Sequence, residues 1–190
     1  MDLASTIALS AGLAWASGLR LYLTLFLAGM LAHFGWLSLP ETLSVLTHPL
    51  VIGVAGIMAL AELVADKVPA FDSVWDAFQT FIRIPAGAVL AALALGQADP
   101  AWMVAAGLIG GTITAGTHFA KAGSRLAINA SPEPFSNWLA SFGEDGLVLG
   151  GFWAMLAAPF LFLILLVLFL VFAGFVLFKV AGALRRLFAR

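Results

Sequence analysis

From Leu147 to Val180 the chain runs for 34 residues with a single charged side chain, Lys179. No other feature constrains the fold as much. In water such a segment exposes more apolar surface than a soluble domain tolerates, whereas a bilayer core asks for about 20 such residues per crossing. It is too long for one upright crossing and short for two, so Pro159 is expected to divide it into a buried or re-entrant half and a true span. The remainder follows the same solvent. The chain is 63% hydrophobic and 10% charged, with mean hydropathy +1.07, where soluble domains carry about 25% charge. The expected fold class is all-α: a polytopic transmembrane helix bundle of about five spans, near 3–31, 50–68, 75–96, 101–126 and 147–180, in one domain over 1–190. An amphipathic connection, 128–146, carries Phe135, Trp138 and Phe142 and is expected to lie in the interface or to re-enter the membrane.

Composition also excludes. A net charge of −1 without a long Lys or Arg run gives no case for nucleic acid. The absence of cysteine removes disulfides, thiolate metal sites and cysteine nucleophiles together. Asp2 stands where a cleavable signal would carry basic residues, so the first segment reads as retained in the membrane.

Against this background the charged residues stand out. The first span, Leu3 to Leu31, has 29 residues, which implies tilt or an interruption, and Arg20 lies in its middle. An arginine at that depth costs several kcal/mol unless paired or hydrated, so it should face the bundle. It either forms a structural ion pair with a buried carboxylate, or contacts an anionic substrate group or controls the ionisation of a neighbouring carboxylate. His33, Trp36 and Pro40 mark an interfacial exit. The stretch ELVADKVPAFDSVWDA then places Glu62 one helical turn from Asp66, and Asp72 one turn from Asp76, on either side of Pro69. Asp76, Gln79 and Arg83 share a face, where Arg83 would offset Asp76 or Asp72, and Pro85 should kink that span. In the fourth span Gly107, Gly111 and Ala115 form a small-residue stripe for close helix approach, and His118, Lys121 and Arg125 form a basic one. Lys179, Arg185, Arg186 and Arg190 put the C-terminus in the cytoplasm by the positive-inside rule.

A shift of 63 positions aligns the second and third spans with the fourth and fifth without a gap, matching Pro69 with Pro132, Ser73 with Ser136 and Trp75 with Trp138. The register predicts an internal repeat of two hairpins with both polar turns on one side of the membrane. It also sets Glu62 against Arg125 and Asp66 against Asn129, so one hairpin is acidic where the other is basic. A Glu62–Arg125 ion pair is the natural expectation, with Asp66, Asp72 and Asp76 left to serve a site. The alternative is that all these charges neutralise one another and only set helix register.

The motifs ASGLRLY (Ala16 to Tyr22), ELVADKVP with its following aspartates, and SPEPFSNW (Ser131 to Trp138) followed by Glu144 and Asp145 resemble the bacterial integral membrane family catalogued as domain of unknown function 4126. The resemblance covers the chain to about Gly151. It implies an integral membrane protein, with Arg20, Glu62, Asp66, Lys67, Asp72, Asp76, Asn129, Glu133, Asn137, Glu144 and Asp145 as motif members to which no role is attached.

Intramembrane ionisable residues around kinked helices mark ion, proton or substrate pathways. The expected function is therefore a transporter or channel for a small ion or polar solute in the inner membrane, acting as a homo-oligomer. Asp66, Asp72, Asp76, Glu62, Arg20 and Asn129 are the expected contacts, and Arg125, Lys121, His118 and Arg83 their electrostatic partners. The three aspartates are also the candidate ligands for a divalent cation. Two other classes remain: a metal-dependent membrane enzyme that handles lipid phosphate, and a non-catalytic assembly protein. The sequence holds no HExxH, GxSxG or phosphate-cradling glycine loop.

Overall fold

A computed structural model describes residues 2–129 and 135–188. Among these residues there are seven helices and no strand: α1 (Leu3–His33), a 3-10 helix (Glu41–Thr47), α2 (Pro49–Ala65), α3 (Pro69–Leu93), α4 (Pro100–Asn129), α5 (Phe135–Ala157) and α6 (Pro159–Phe188). Local chemistry sets most of the boundaries. Proline opens α2, α3, α4 and α6, where its fixed φ suits the first turn and its missing N–H has no partner to lose. Asp2 caps α1 by accepting from Ser5 N at 2.8 Å. Hydrogen bonds from the Ser5 side chain and backbone hold its carboxyl below the usual carboxylate range. Asp99 caps α4 by accepting from Ala101 N at 2.8 Å. Gly35 and Gly96, just beyond α1 and α3, take φ of +76° and +66°, which stops both helices.

The first span carries the interruption its length implied. Arg20 has φ −146° and ψ 83°, so α1 breaks there. The break turns the chain back on itself. Trp36 N and Leu37 N bond Leu31 O at 2.8 and 3.1 Å, and Trp36 and Leu37 line one small cavity with Ser5 and Leu9. A straight helix would hold residues 9 and 31 about 33 Å apart. α1 is therefore a helical hairpin with Arg20 at its tip. Backbone groups freed at the tip are met by side chains: Lys121 Nζ donates to Leu19 O at 3.3 Å and Thr24 Oγ1 to Arg20 O at 2.7 Å.

The following helices repeat this path. α2 starts beside the second half of α1, where Gly29 abuts Leu46 and Ile52, and runs towards the tip. α3 returns, so that Ser10 Oγ donates to Ala91 O at 2.9 Å and Thr42 Oγ1 donates to Leu93 O. α4 goes out again and α5 comes back, bringing Met155 against Gly12. α6 then runs outward along α5, with Phe162 and Phe169 both edge-on to Trp15 at 5.9 and 5.7 Å. Three hairpins thus point their polar tips to one end of the molecule.

Close helix approach rests on small residues. A Cβ on Gly18 would lie 2.7 Å from Thr114 O and from Thr117 Cβ, and one on Gly87 would collide with the Thr114 side chain. Gly107 and Gly111 face Ala88 and Ala92 of α3 as the small-residue stripe suggested, but the tightest approach on that face is at Gly110, against Ala91.

By length and apolarity α4 over Pro100–Leu126 and α6 over Pro159–Lys179 are each able to cross a membrane; α1 passes the same test only over its whole length, and because it folds back at Arg20 it enters as a hairpin and not as one crossing. The 3-10 helix and α2 add a pair bent by 67°. α6 exposes Phe160, Phe172 and Phe178, a surface suited to lipid. Pro85 lies inside α3, which continues through it from Pro69 to Leu93. One expectation changes here. The amphipathic connection is instead the continuation of α4 to Asn129 and the start of α5 at Phe135, with residues 130–134 outside the described part. Its polar side chains Asn137, Ser141 and Glu144 are buried in the protein, where Arg20 of the α1 tip donates to Ser141 and Arg125 of α4 donates to Asn137 and Glu144.

Candidate functional site

At the convergence of the three tips lies a buried charge network. Its cations are Arg20 from the tip of α1, Arg83 from α3, and Lys121 and Arg125 from the end of α4, each no more than 4% exposed. Facing them are Glu62 and Asp66 from the end of α2, Asp72 and Asp76 from the start of α3, and Glu144 and Asp145 from α5. Asp66 occupies the centre. Its Oδ2 lies 2.6 Å from Arg20 Nη1, 3.2 Å from Lys121 Nζ and 3.3 Å from Arg125 Nη2.

Glu144 is held from two sides. Arg125 grips it in bidentate fashion, Nε to Oε1 at 2.8 Å and Nη2 to Oε2 at 3.1 Å, while Lys121 Nζ lies 3.4 Å from Oε2. The remaining Arg125 nitrogen, Nη1, donates to Asn137 O and Oδ1 at 3.1 and 3.3 Å. Arg20 Nη2 donates to Ser141 Oγ at 2.8 Å, and its Nε is ion-paired with Asp145 Oδ1 at 2.9 Å.

Arg83 forms a second centre. Nη2 pairs with Glu62 Oε1, and Nη1 lies 3.1 Å from Asp76 Oδ1 and 3.2 Å from His118 Nδ1. A guanidinium only donates, so His118 Nδ1 is the acceptor and the ring proton sits on Nε2. Nε2 then donates to Thr80 Oγ1 at 2.7 Å, and Thr80 donates to Asp76 O at 3.0 Å. His118 is thus a neutral imidazole closed into a ring of four residues. Asp76 is shared with Lys121 at 3.5 Å, which joins the two centres.

The sequence-predicted residues Arg20, Glu62, Asp66, Asp76, Arg83, His118, Lys121 and Arg125 come together here. Asp72 is fully buried beside them and is engaged as well. The side chain of Asn129 and the whole of Glu133 lie outside the described residues. The expected Glu62–Arg125 pair is not formed. Glu62 reaches Arg83 of α3, and Arg125 reaches Asp66 and Glu144, because α3 packs directly on α4 while Arg125 sits one turn further towards the tip of α5. The divalent-cation reading also changes: among the described residues no group of three or more His, Cys, Asp or Glu side chains is placed to hold a metal ion. Asp66 and Asp76 each turn an oxygen to cations of the protein instead.

Sequence reasoning missed the roles of Ser141, Thr80, Glu144 and Asp145. Asn137, Ser141 and Glu144 recur at four and three residues, the stripe of a helix face, and that spacing was legible. Lys67 stands over the rings of Trp138 and Phe142 at 5.4 and 5.3 Å, a further tie between the second and third tips.

Apolar helices long enough to cross a bilayer, wrapped around a sealed charge network, define an all-helical membrane protein. A family model described as Domain of unknown function (DUF4126) matches residues 7–179, and the chain belongs to that family. Neither the curated proteins nor the solved structures contain a match to it.

Proposed function

We propose that this protein moves a small ion across a bacterial inner membrane, and that the proton is the ion its network suits. The observation that carries this reading is the state of three carboxylates. Glu62, Asp66 and Asp76 each turn one oxygen to a cation, while Glu62 Oε2, Asp66 Oδ1 and Asp76 Oδ2 are buried with no donor among the described residues. A carboxylate is acceptor-only when ionised, so a buried oxygen without a donor is costly, and the cost falls most on Glu62, which faces a single cation. The network also holds six carboxylates against four cations, an excess that protons can balance. Its burial corresponds to an occluded state of an alternating-access cycle.

The arrangement of the tips supports an orientation. α6 runs outward to the tip end and Lys179 follows its apolar stretch, so the basic tail and the three tips share one face. The positive-inside rule makes that face cytoplasmic, which also accounts for Lys67, Lys121 and Arg125 there. The five single crossings expected from the sequence would instead put both polar turns outside; with α1 folded back at Arg20, the N-terminus lies at the end opposite the tips and is outside in this reading. The two hairpins in the 63-residue register, α2 with α3 and α4 with α5, supply the acidic and the basic halves of the network, in keeping with a duplication. Assembly as a homo-oligomer belongs to the same reading.

The experiment is proton flux in proteoliposomes with an entrapped pH-sensitive dye. Asp66→Asn and Asp76→Asn should abolish flux while gel filtration and helix content stay those of the wild type; unchanged flux in both sinks the proposal. A second reading, in which the network is purely structural, is favoured by one fact: each of the four cations already lies within ion-pair distance of a carboxylate. It expects no flux in the wild type and loss of fold in the same variants.

A further inference from the structure

A cavity of about 540 Å³ opens between the second half of α1, α2 and α5 and ends on Arg20 and Asp145. It occupies a distinctive place in the fold. Around the other side of α1 the helices α3 and α4 close on each other through Gly87, Gly110 and Gly111. Between α2 and α5 the corresponding gap stays open. Its walls are apolar, with Phe26, Ile57, Leu60 and Leu149 among them, and Ile57 and Leu60 are more than 60% exposed, so the groove faces the lipid.

The polar end has a definite sign. Arg20 reaches the groove with a side chain only 2% exposed: Nη1 pairs with Asp66, Nη2 donates to Ser141, and Nε lies 2.9 Å from Asp145 Oδ1 as an ion pair without a hydrogen bond. That one unbonded nitrogen is buried, which closes it off from an incoming anion. Asp145 differs. Its side chain is 22% exposed, the most open carboxylate of the ion-pair network, and only its Oδ1 is in contact with Arg20. An ionised carboxylate accepts from several directions. The groove therefore offers an apolar body site and an acceptor at its end, backed by a network in which carboxylates outnumber cations.

We propose that this groove is a binding site for a membrane-dissolved organic cation, an apolar body bearing one positive charge that pairs with Asp145. The site stands independently of ion movement through the network, because binding is read without flux. Gly53 supplies the test of place. It lines the groove, and a Cβ built on it meets no atom within 4 Å, so a larger side chain there enters the groove without disturbing the protein.

The experiment uses the full chain in nanodiscs with radiolabelled tetraphenylphosphonium, corrected for partition into empty discs, and tetraphenylborate as a competitor of the same shape and opposite charge. Binding should be saturable, absent in Gly53→Phe, and weaker by roughly tenfold or more in Asp145→Asn, the loss of one charge-assisted contact. The borate should not compete. Wild-type affinity in Gly53→Phe, or equal competition by the anion, overturns the proposal. Should Asp145→Asn lose its fold, Gly53→Phe and the anion competition decide alone. A failure of proton flux with binding intact would remove the transport reading and leave this one standing.

Discussion

Replacing Arg83 by methionine tests whether the charge network is as sealed as its geometry implies. The side chain is fully buried, and its loss strips Glu62 of the cation that pairs with it, Asp76 of one of two, and His118 Nδ1 of its donor. Asp76 keeps Lys121 at 3.5 Å, so most of the cost falls on Glu62. An uncompensated buried charge costs about 3–5 kcal/mol, or two to three and a half orders of magnitude in the unfolding equilibrium at roughly 1.4 kcal/mol per tenfold. Adding Glu62→Met removes the lone charge, and the double variant should return to within about 1–2 kcal/mol of wild type, a coupling of the size seen between contacting residues. Adding Asp76→Asn instead should restore less, since Lys121 already serves that carboxylate. Unfolding in mixed micelles of rising SDS fraction, followed by far-UV circular dichroism, measures these proteins together with wild type and Glu62→Met alone, which completes the cycle. A cost below about 1 kcal/mol, the worth of a solvent-exposed pair, would refute the reasoning by showing that water reaches Glu62. So would a double variant as unstable as the sum of its parts.

Two further outcomes follow from the fold. Because the chain has no cysteine, spin labels can be placed directly at the exposed positions Ile7 and Phe34; a continuous straight α1 would separate them by about 40 Å, and the hairpin requires about half that or less in a pulsed dipolar measurement. Gly87→Ala should destabilise by about 1–3 kcal/mol because its methyl would collide with Thr114, and Thr114→Ala should relieve it; equal stability of wild type and Gly87→Ala would show that α3 and α4 do not meet there.

How the site could be read beforehand differs from residue to residue. Glu62, Asp66, Lys121 and Arg125 were visible because a charge inside an apolar run has few reasons to be there. Their partners were not visible. Charge alternation along the repeat suggested Glu62 with Arg125, whereas Glu62 meets Arg83, a residue on the next helix whose facing direction depends on how α3 leans on α4. Glu144 and Asp145 were named as motif members, but their role escaped for a related reason. They sit in a segment amphipathic enough for the membrane surface, and nothing local distinguishes a polar face turned to headgroups from one turned to buried arginines.

The sequence by itself determined the apolar, helical class and the starts of α1, α2 and α4 to within a residue or so, because apolar run length is a local property; α3 and α5 begin at Pro69 and Phe135, ahead of the 75 and 147 expected, since their polar first turns are carried by the charges they meet in the fold. It also implied that the first span is either tilted or interrupted, since 29 residues exceed an upright crossing. Tertiary structure alone decided that the interruption is a hairpin, that three tips meet around Asp66, and that α2 and α5 stay apart where α3 and α4 close. The physical reason is that a carboxylate in a low-dielectric interior takes whichever cation the packing brings within about 3 Å, and packing is set by where glycine lets helices touch.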